Sequence, residues 1–240
     1  CLMRPTLYER RPQWGSDQDS HKRIDLAPLS RRSSRELADA LLSRLDPVPA
    51  ALRDLLVASA EGNPFFVEEL LNMLIDDGVI VTHTRSDLER WQVVPDKLLA
   101  VHVPPTLAAL LQTRLDALPS PEKAALQAAS VIGHVFWDEP LEHIDPGAPA
   151  ALDGLMRRDL AQARETSAFE GVREYAFKHH LLHQVTYDSV LRQHKREQHR
   201  LTAEWLVGRS GERASEYHGL IAEHYERAGD VANAAIYLRQ

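Results

Sequence analysis

Apolar and polar positions recur with helical period along most of the chain, most plainly over residues 62–78. Phe66, Val67, Leu70, Leu71 and Leu74 form a broad apolar face, and Glu68, Glu69, Asn72 and Asp76 share the other. Asn63 suits an N-cap, Pro64 suits the first helical position, where a missing N–H costs nothing, and Gly78 suits C′. A helix opened by Gly62-Asn63-Pro64 and stopped at Asp76-Asp77-Gly78 is therefore predicted. Upstream, Ser33 and Glu36 have capping-box spacing ahead of Leu37, Leu41 and Leu42, predicting a helix over 34–45. Pro47 and Pro49 punctuate, and a further helix is expected at 50–60. Residues 1–28 read as irregular, with short strands at Cys1-Leu2-Met3 and Ile24-Asp25-Leu26 and a polar loop at 15–20. Val79–Thr82 and Trp91–Val94 are β-rich around a polar turn and predict a hairpin.

From Val103 the pattern changes. Pro104-Pro105 opens a helix carrying Leu107, Leu110, Leu111, Leu115 and Leu118, and Ser120-Pro121-Glu122 caps a second that stops at Gly133. A third is expected at 148–162 with Leu152, Leu155, Met156 and Leu160 inward, followed by strands near 163–167 and 172–178 around Gly171. Three helices and a β-hairpin are the order of a winged helix. One long helix is predicted over 180–207. Tyr217–Ala228 and Asp230–Arg239 form a helical hairpin turned at Gly229-Asp230, with Ala222, Tyr225, Ala234 and Leu238 at spacings like those of a tetratricopeptide (TPR) repeat. A single repeat cannot bury its own face, so more repeats are expected beyond Gln240. The fold class is mainly α.

Composition narrows the function classes. The chain has 240 residues and a net charge of −7, which excludes a dedicated nucleic-acid surface over its whole length. A local basic run remains: Arg192, His194, Lys195, Arg196, His199 and Arg200. Its charges spread around the helix, no aromatics interleave, and Glu197 interrupts it, so a solvated face is expected. One cysteine excludes an intramolecular disulfide framework and fits a reducing, cytoplasmic compartment. No apolar run is long enough to span a bilayer, and no basic-then-apolar leader is present. His179, His180 and His183 include an i, i+4 pair, but a zincin needs Glu directly after the first histidine and His180 stands there, so no metal is expected. No G-x-x-x-x-G-K-[ST] loop occurs.

The stretch Gly-Asn-Pro-Phe-Phe-Val-Glu-Glu-Leu-Leu at 62–71 closely resembles the lid helix of STAND-class P-loop signalling ATPases. It resembles especially the AAA-like modules linked to class III adenylate and guanylate cyclases and to LuxR/MalT-type regulators. The segments VPPTLAALLQTRLDALPSPEKAALQAASVIG and YAFKHHLLHQVTYDSVL resemble the winged helix that follows the lid there, and Leu26-Ala27-Pro28-Leu29-Ser30 resembles the phrase that closes the nucleotide-binding domain. The resemblance implies the end of a nucleotide-binding domain at 1–28, a helical lid with a small hairpin at 29–102, a winged helix at 103–207, and the first TPR-like helices at 208–240. It implies an ATP/ADP switch. Pro64 would lie beside the adenine, on a turn shaped by Gly62 and Asn63. His179 would contact the β-phosphate as the histidine of the MHD motif does, with His180 where that motif has Asp, and Arg4 would sense the γ-phosphate. ADP would join the P-loop domain to lid and winged helix, and exchange for ATP would let the winged helix rotate.

Without a phosphate loop, and starting at Cys1, the chain reads as a fragment of such an ATPase. Its magnesium-binding P-loop domain would lie upstream, and no cofactor or catalysis is expected of the fragment alone. The implied partners are that P-loop domain, proteins bound by the repeats, and further copies in a nucleotide-dependent oligomer; neither membrane nor nucleic acid is expected. A nucleotide-independent TPR-type scaffold and a winged-helix DNA-binding regulator are the alternatives.

Overall fold

The computed structural model describes residues 6–14, 24–85 and 88–239, and it is mainly helical. Helix α1 (Thr6–Arg10) lies where irregular chain was expected. Residues 24–30 carry neither helix nor strand, and Ile24 and Leu26 are exposed, so the strand expected there does not form. Cys1-Leu2-Met3 lies outside the described residues.

Three helices follow: α2 (Arg31–Leu41), α3 (Ala50–Ala60) and α4 (Pro64–Asp76). Helix α2 starts three residues before its predicted start, because Ser30, not Ser33, is the cap: its hydroxyl accepts the Ser33 N–H at 3.1 Å. Glu36 pairs with Arg32 instead of reaching back. Helix α4 ends in a Schellman turn, with Gly78 at φ 66° and the Val79 N–H on the Leu74 carbonyl. Strands β1 (Ile80–Arg85) and β2 (Leu88–Val93) form the predicted hairpin in the register Ile80↔Val93, and α5 (Pro95–Ala100) leads out of it. Leu42, Leu52, Leu56, Val67, Leu70 and Leu74 are fully buried in this unit.

The second unit begins with α6 (Leu107–Asp116), which is capped by the Thr106 hydroxyl on the Ala109 N–H rather than opened at Pro104-Pro105. Then come α7 (Ser120–Ile132), β3 (Val135–Trp137), α8 (Asp138–Ile144), α9 (Ala148–Arg157), β4 (Ala161–Ala163) and β5 (Glu174–Phe177). The strands form one antiparallel sheet in the order β3-β5-β4, with Val135↔Ala176 and Ala161↔Phe177 paired. This is winged-helix order with a corrected membership. The helical trio is α7, α8 and α9, whereas the sequence pattern had put α6 in the trio and left out α8 and β3. Helix α9 stops at Arg157 rather than 162 because Asp159 turns left-handed, at φ 57°, into β4.

The expected long helix over 180–207 is two: α10 (His180–Ser189) and α11 (Arg192–Ser210), divided by extended Val190 and Leu191. The break redirects the chain so that Ala203 and Leu206 of α11 reach the core around Phe136 and Phe177. Helices α12 (Ala214–Ala228) and α13 (Val231–Leu238) form the predicted hairpin; Gly229 is left-handed and Asp230 caps α13. Ala222, Tyr225 and Ala234 are buried, but Leu238 is exposed. Among the described residues, no helix is long and apolar enough to cross a membrane.

Candidate functional site

The two segments singled out from sequence are both helix starts, and the fold brings them together. At the first, Glu61 and Gly62 have positive φ, and Asn63 caps α4 by accepting the Phe65 and Phe66 N–H groups at 3.1 and 3.4 Å. Pro64 then occupies N1. The preceding Leu26–Ser30 phrase docks on this turn, since the Leu29 N–H donates to the Gly62 carbonyl at 2.8 Å. A Cβ on Gly62 would sit 2.5 Å from the Leu29 oxygen. Gly62→Ala is therefore expected to break the Leu29 bond and leave the Leu29 amide exchanging freely in hydrogen-exchange measurements, at a cost of about 1–3 kcal/mol from backbone strain.

At the second start, β5 gives way to α10 and His179 holds the N-cap position with an extended backbone and no side-chain capping bond. Its ring lies against Phe65 of α4, centroids 3.8 Å apart and tilted by 46°. Pro64 and His179 are thus neighbours across one aromatic contact. Burial, then the Lys178 charge, lowers the His179 pKa, against a smaller raising effect of Asp159. Lys178 itself pairs with Asp159 at 2.8 Å. His134, His180 and His183 lie beside this junction with ring centroids 5.8–5.9 Å apart. The His183 Nε2 meets the Ser130 carbonyl at 2.9 Å, so it carries the proton and donates. Among the described residues, no group of three or more His, Cys, Asp or Glu converges as a metal site requires. Arg4 lies outside the described residues.

Sequence reasoning missed a second feature of the same interface. Arg114 of α6, with its side chain 1% exposed, donates to Glu69 at 2.5 Å, to Asp76 at 3.2 Å and to the Arg158 carbonyl at 2.9 Å. Arg158 in turn bridges Asp76 and Glu122, both at 2.8 Å. Three carboxylates and two guanidiniums form one layer between α4, α6, α7 and the end of α9. Glu69 had been placed on a polar face of α4; it is buried, and burial raises its pKa despite Arg114. A signal was present. Arg114 falls on the helical stripe of Leu107, Leu110, Leu111, Leu115 and Leu118, where a cation needs a partner.

Part of what would serve nucleic acid is otherwise engaged, while Arg192, His194 and Arg196 are exposed. Helix α9 exposes only Ala150, Asp153 and Arg157. The loop between β4 and β5, the wing, is pinned: Phe169 is buried against Trp137, Trp205 and Tyr217, and Arg209 and Arg213 donate to the Glu170 and Ala168 carbonyls. In the basic run, His199 is buried, Arg200 pairs with Glu197 and Glu204, and Lys195 covers the Tyr187 ring.

Residues 30–82 are similar to a family described as a domain of unknown function (DUF8739). That span runs from α2 into β1 and holds the Gly62-Asn63-Pro64 turn. No curated protein matches the chain.

Proposed function

We propose that this chain is the lid and winged-helix part of a nucleotide-switched signalling ATPase of the STAND class, working with a P-loop domain encoded upstream of Cys1. The observation that carries the reading is the Phe65–His179 contact, because a ligand held at the Pro64 turn and at His179 needs those two helix starts to be adjacent. The donor chemistry fits a phosphate: His179 makes no capping bond, and it stands at a helix start, where unpaired N–H groups attract anions. ADP or ATP, with magnesium held by the P-loop domain, would supply the phosphate chain and the adenine. In this chain, Gly62 and Asn63 shape the turn, Pro64 meets the base and His179 donates to the phosphate. Nucleotide exchange shifts the switch only if one arrangement binds it better.

A cytoplasmic signalling role, protein partners for the α12–α13 hairpin and nucleotide-dependent assembly belong to the same proposal. The pinned wing and the weakly charged α9 favour it over DNA binding. In the longer protein carrying the P-loop domain, His179→Ala is expected to speed release of fluorescent ADP about tenfold, from the ~1.5 kcal/mol of a hydrogen bond to a charged acceptor. An unchanged off-rate would remove His179 from the switch.

A further inference from the structure

The candidate site joins two units with separate apolar cores. One core runs from Ala38 to Ile80 with Leu110, and the other from Leu111 to Ala234. Helix α6 straddles them, Leu110 facing the first and Leu111 and Leu115 the second. Apolar contact is non-directional and sets no unique register between two such bodies. A planar guanidinium with several fixed donors does. Arg114 is satisfied only when Glu69 and Asp76 of α4 and the Arg158 carbonyl stand where they do, and Arg158 repeats the test on Asp76 and Glu122. A one-residue register slip of α4, a rise of about 1.5 Å with a turn of about 100°, would carry both carboxylates off Arg114.

We propose that the layer of Glu69, Asp76, Arg114, Glu122 and Arg158 is the positioning element of the candidate site, fixing the register in which Phe65 meets His179. Asp76 is eleven residues from Phe65, about 16 Å along α4, so the control is remote and passes through the helix as a rigid rod. Setting a register is the best-attested use of buried ionic groups, which otherwise add little net stability. The register stands independently of the nucleotide reading; its use in holding Pro64 and His179 at one ligand's span rests on that reading.

The test follows the His179 ring by NMR in this chain without nucleotide, its signals assigned through His179→Gln. Phe65→Ala defines the uncoupled state, with the ring-current shift lost and the titration midpoint raised toward the ordinary histidine value. Asp76→Asn, three turns of α4 from Phe65, and Arg158→Met, beside the Asp159–Lys178 pair, are expected to move both readouts at least halfway to that state, and the ring-current shift decides for Arg158→Met because that nearby pair can move the midpoint by itself. Amide exchange within α3 and α7 should stay at wild-type values, a pattern that general loosening would not give. If both substitutions leave the His179 shift and midpoint unchanged, the proposal is overturned. Should Asp76→Asn fail to fold, Arg158→Met decides, since that side chain is 32% exposed and its loss leaves Arg114 paired with Glu69. In the longer protein, faster ADP release by Arg158→Met supports the whole proposal. A displaced His179 ring with unchanged ADP release would overturn its nucleotide half and leave the register standing.

Discussion

Arg114→Ala is expected to destabilise the chain by about 3–5 kcal/mol, the cost of leaving a buried charge without its partner. Glu69 loses its cation, whereas Asp76 keeps Arg158. Glu69 is 2% exposed, and its pKa is already raised because burial outweighs the lowering by Arg114. Without Arg114 it would rise further, and the sign of the pH dependence follows. An acid whose folded pKa lies above its unfolded one binds protons more readily in the folded state, so the loss is full above the folded pKa and shrinks as pH falls through it. Urea midpoints at pH 7 and pH 5 should therefore bring wild type and variant closer together at the lower pH. Replacing both members, Arg114→Met with Glu69→Leu, is expected to recover most of the loss, because no buried charge of that pair then remains. A single-variant loss below about 1 kcal/mol would mean that water or a shifted neighbour already solvates Glu69.

Elements with local punctuation were legible in the chain. Helices α3, α4, α7 and α12 begin or end at Pro, Asn or Gly residues whose backbone preferences act over three or four positions. Helix α8 and strand β3 were not, because seven- and three-residue elements are too short to show a period. The break at Val190-Leu191 contains neither Gly nor Pro; it exists because α11 must cross to the second core, a demand made by residues far away in sequence. The site shows the same division. Both helix starts could be read locally, but Phe65 lies outside the apolar face of Phe66, Val67, Leu70, Leu71 and Leu74, and its contact with His179 spans more than a hundred positions. His199 illustrates the reverse error: counted within a basic run, it shares a helical face with Thr202, Ala203 and Leu206, all buried. Its i+3, i+4 and i+7 neighbours were the signal.

That buried histidine gives the second large effect. His199 Nδ1 meets His224 Nδ1 at 2.8 Å and Tyr187 Oη meets His199 Nε2 at 3.0 Å. One Nδ1 of the pair carries a proton and donates to the other, and the Tyr187 hydroxyl, which can donate or accept, completes the chain at His199 Nε2. The Nδ1–Nδ1 contact is satisfied with both rings neutral, and a second proton between those two nitrogens would break it. Burial first, then the neighbouring His224, Arg227 and Lys195 charges, bring His199 down to about 3; burial and Arg227 bring His224 down to about 4. Histidines depressed on folding contribute stability that is full above the unfolded value near 6.5 and lost as pH falls toward the folded values. The unfolded chain then binds up to two more protons than the folded one, a slope of about 2.7 kcal/mol per pH unit. Between pH 6 and pH 4.5 the urea midpoint should fall steeply. A triple variant, Tyr187→Phe with His199→Phe and His224→Leu, should flatten that fall by nearly the full two-proton slope, even if it is less stable at pH 8. An acid profile as steep as wild type would place the titrating groups elsewhere, His134, His179 and His183 being next, since burial lowers all three.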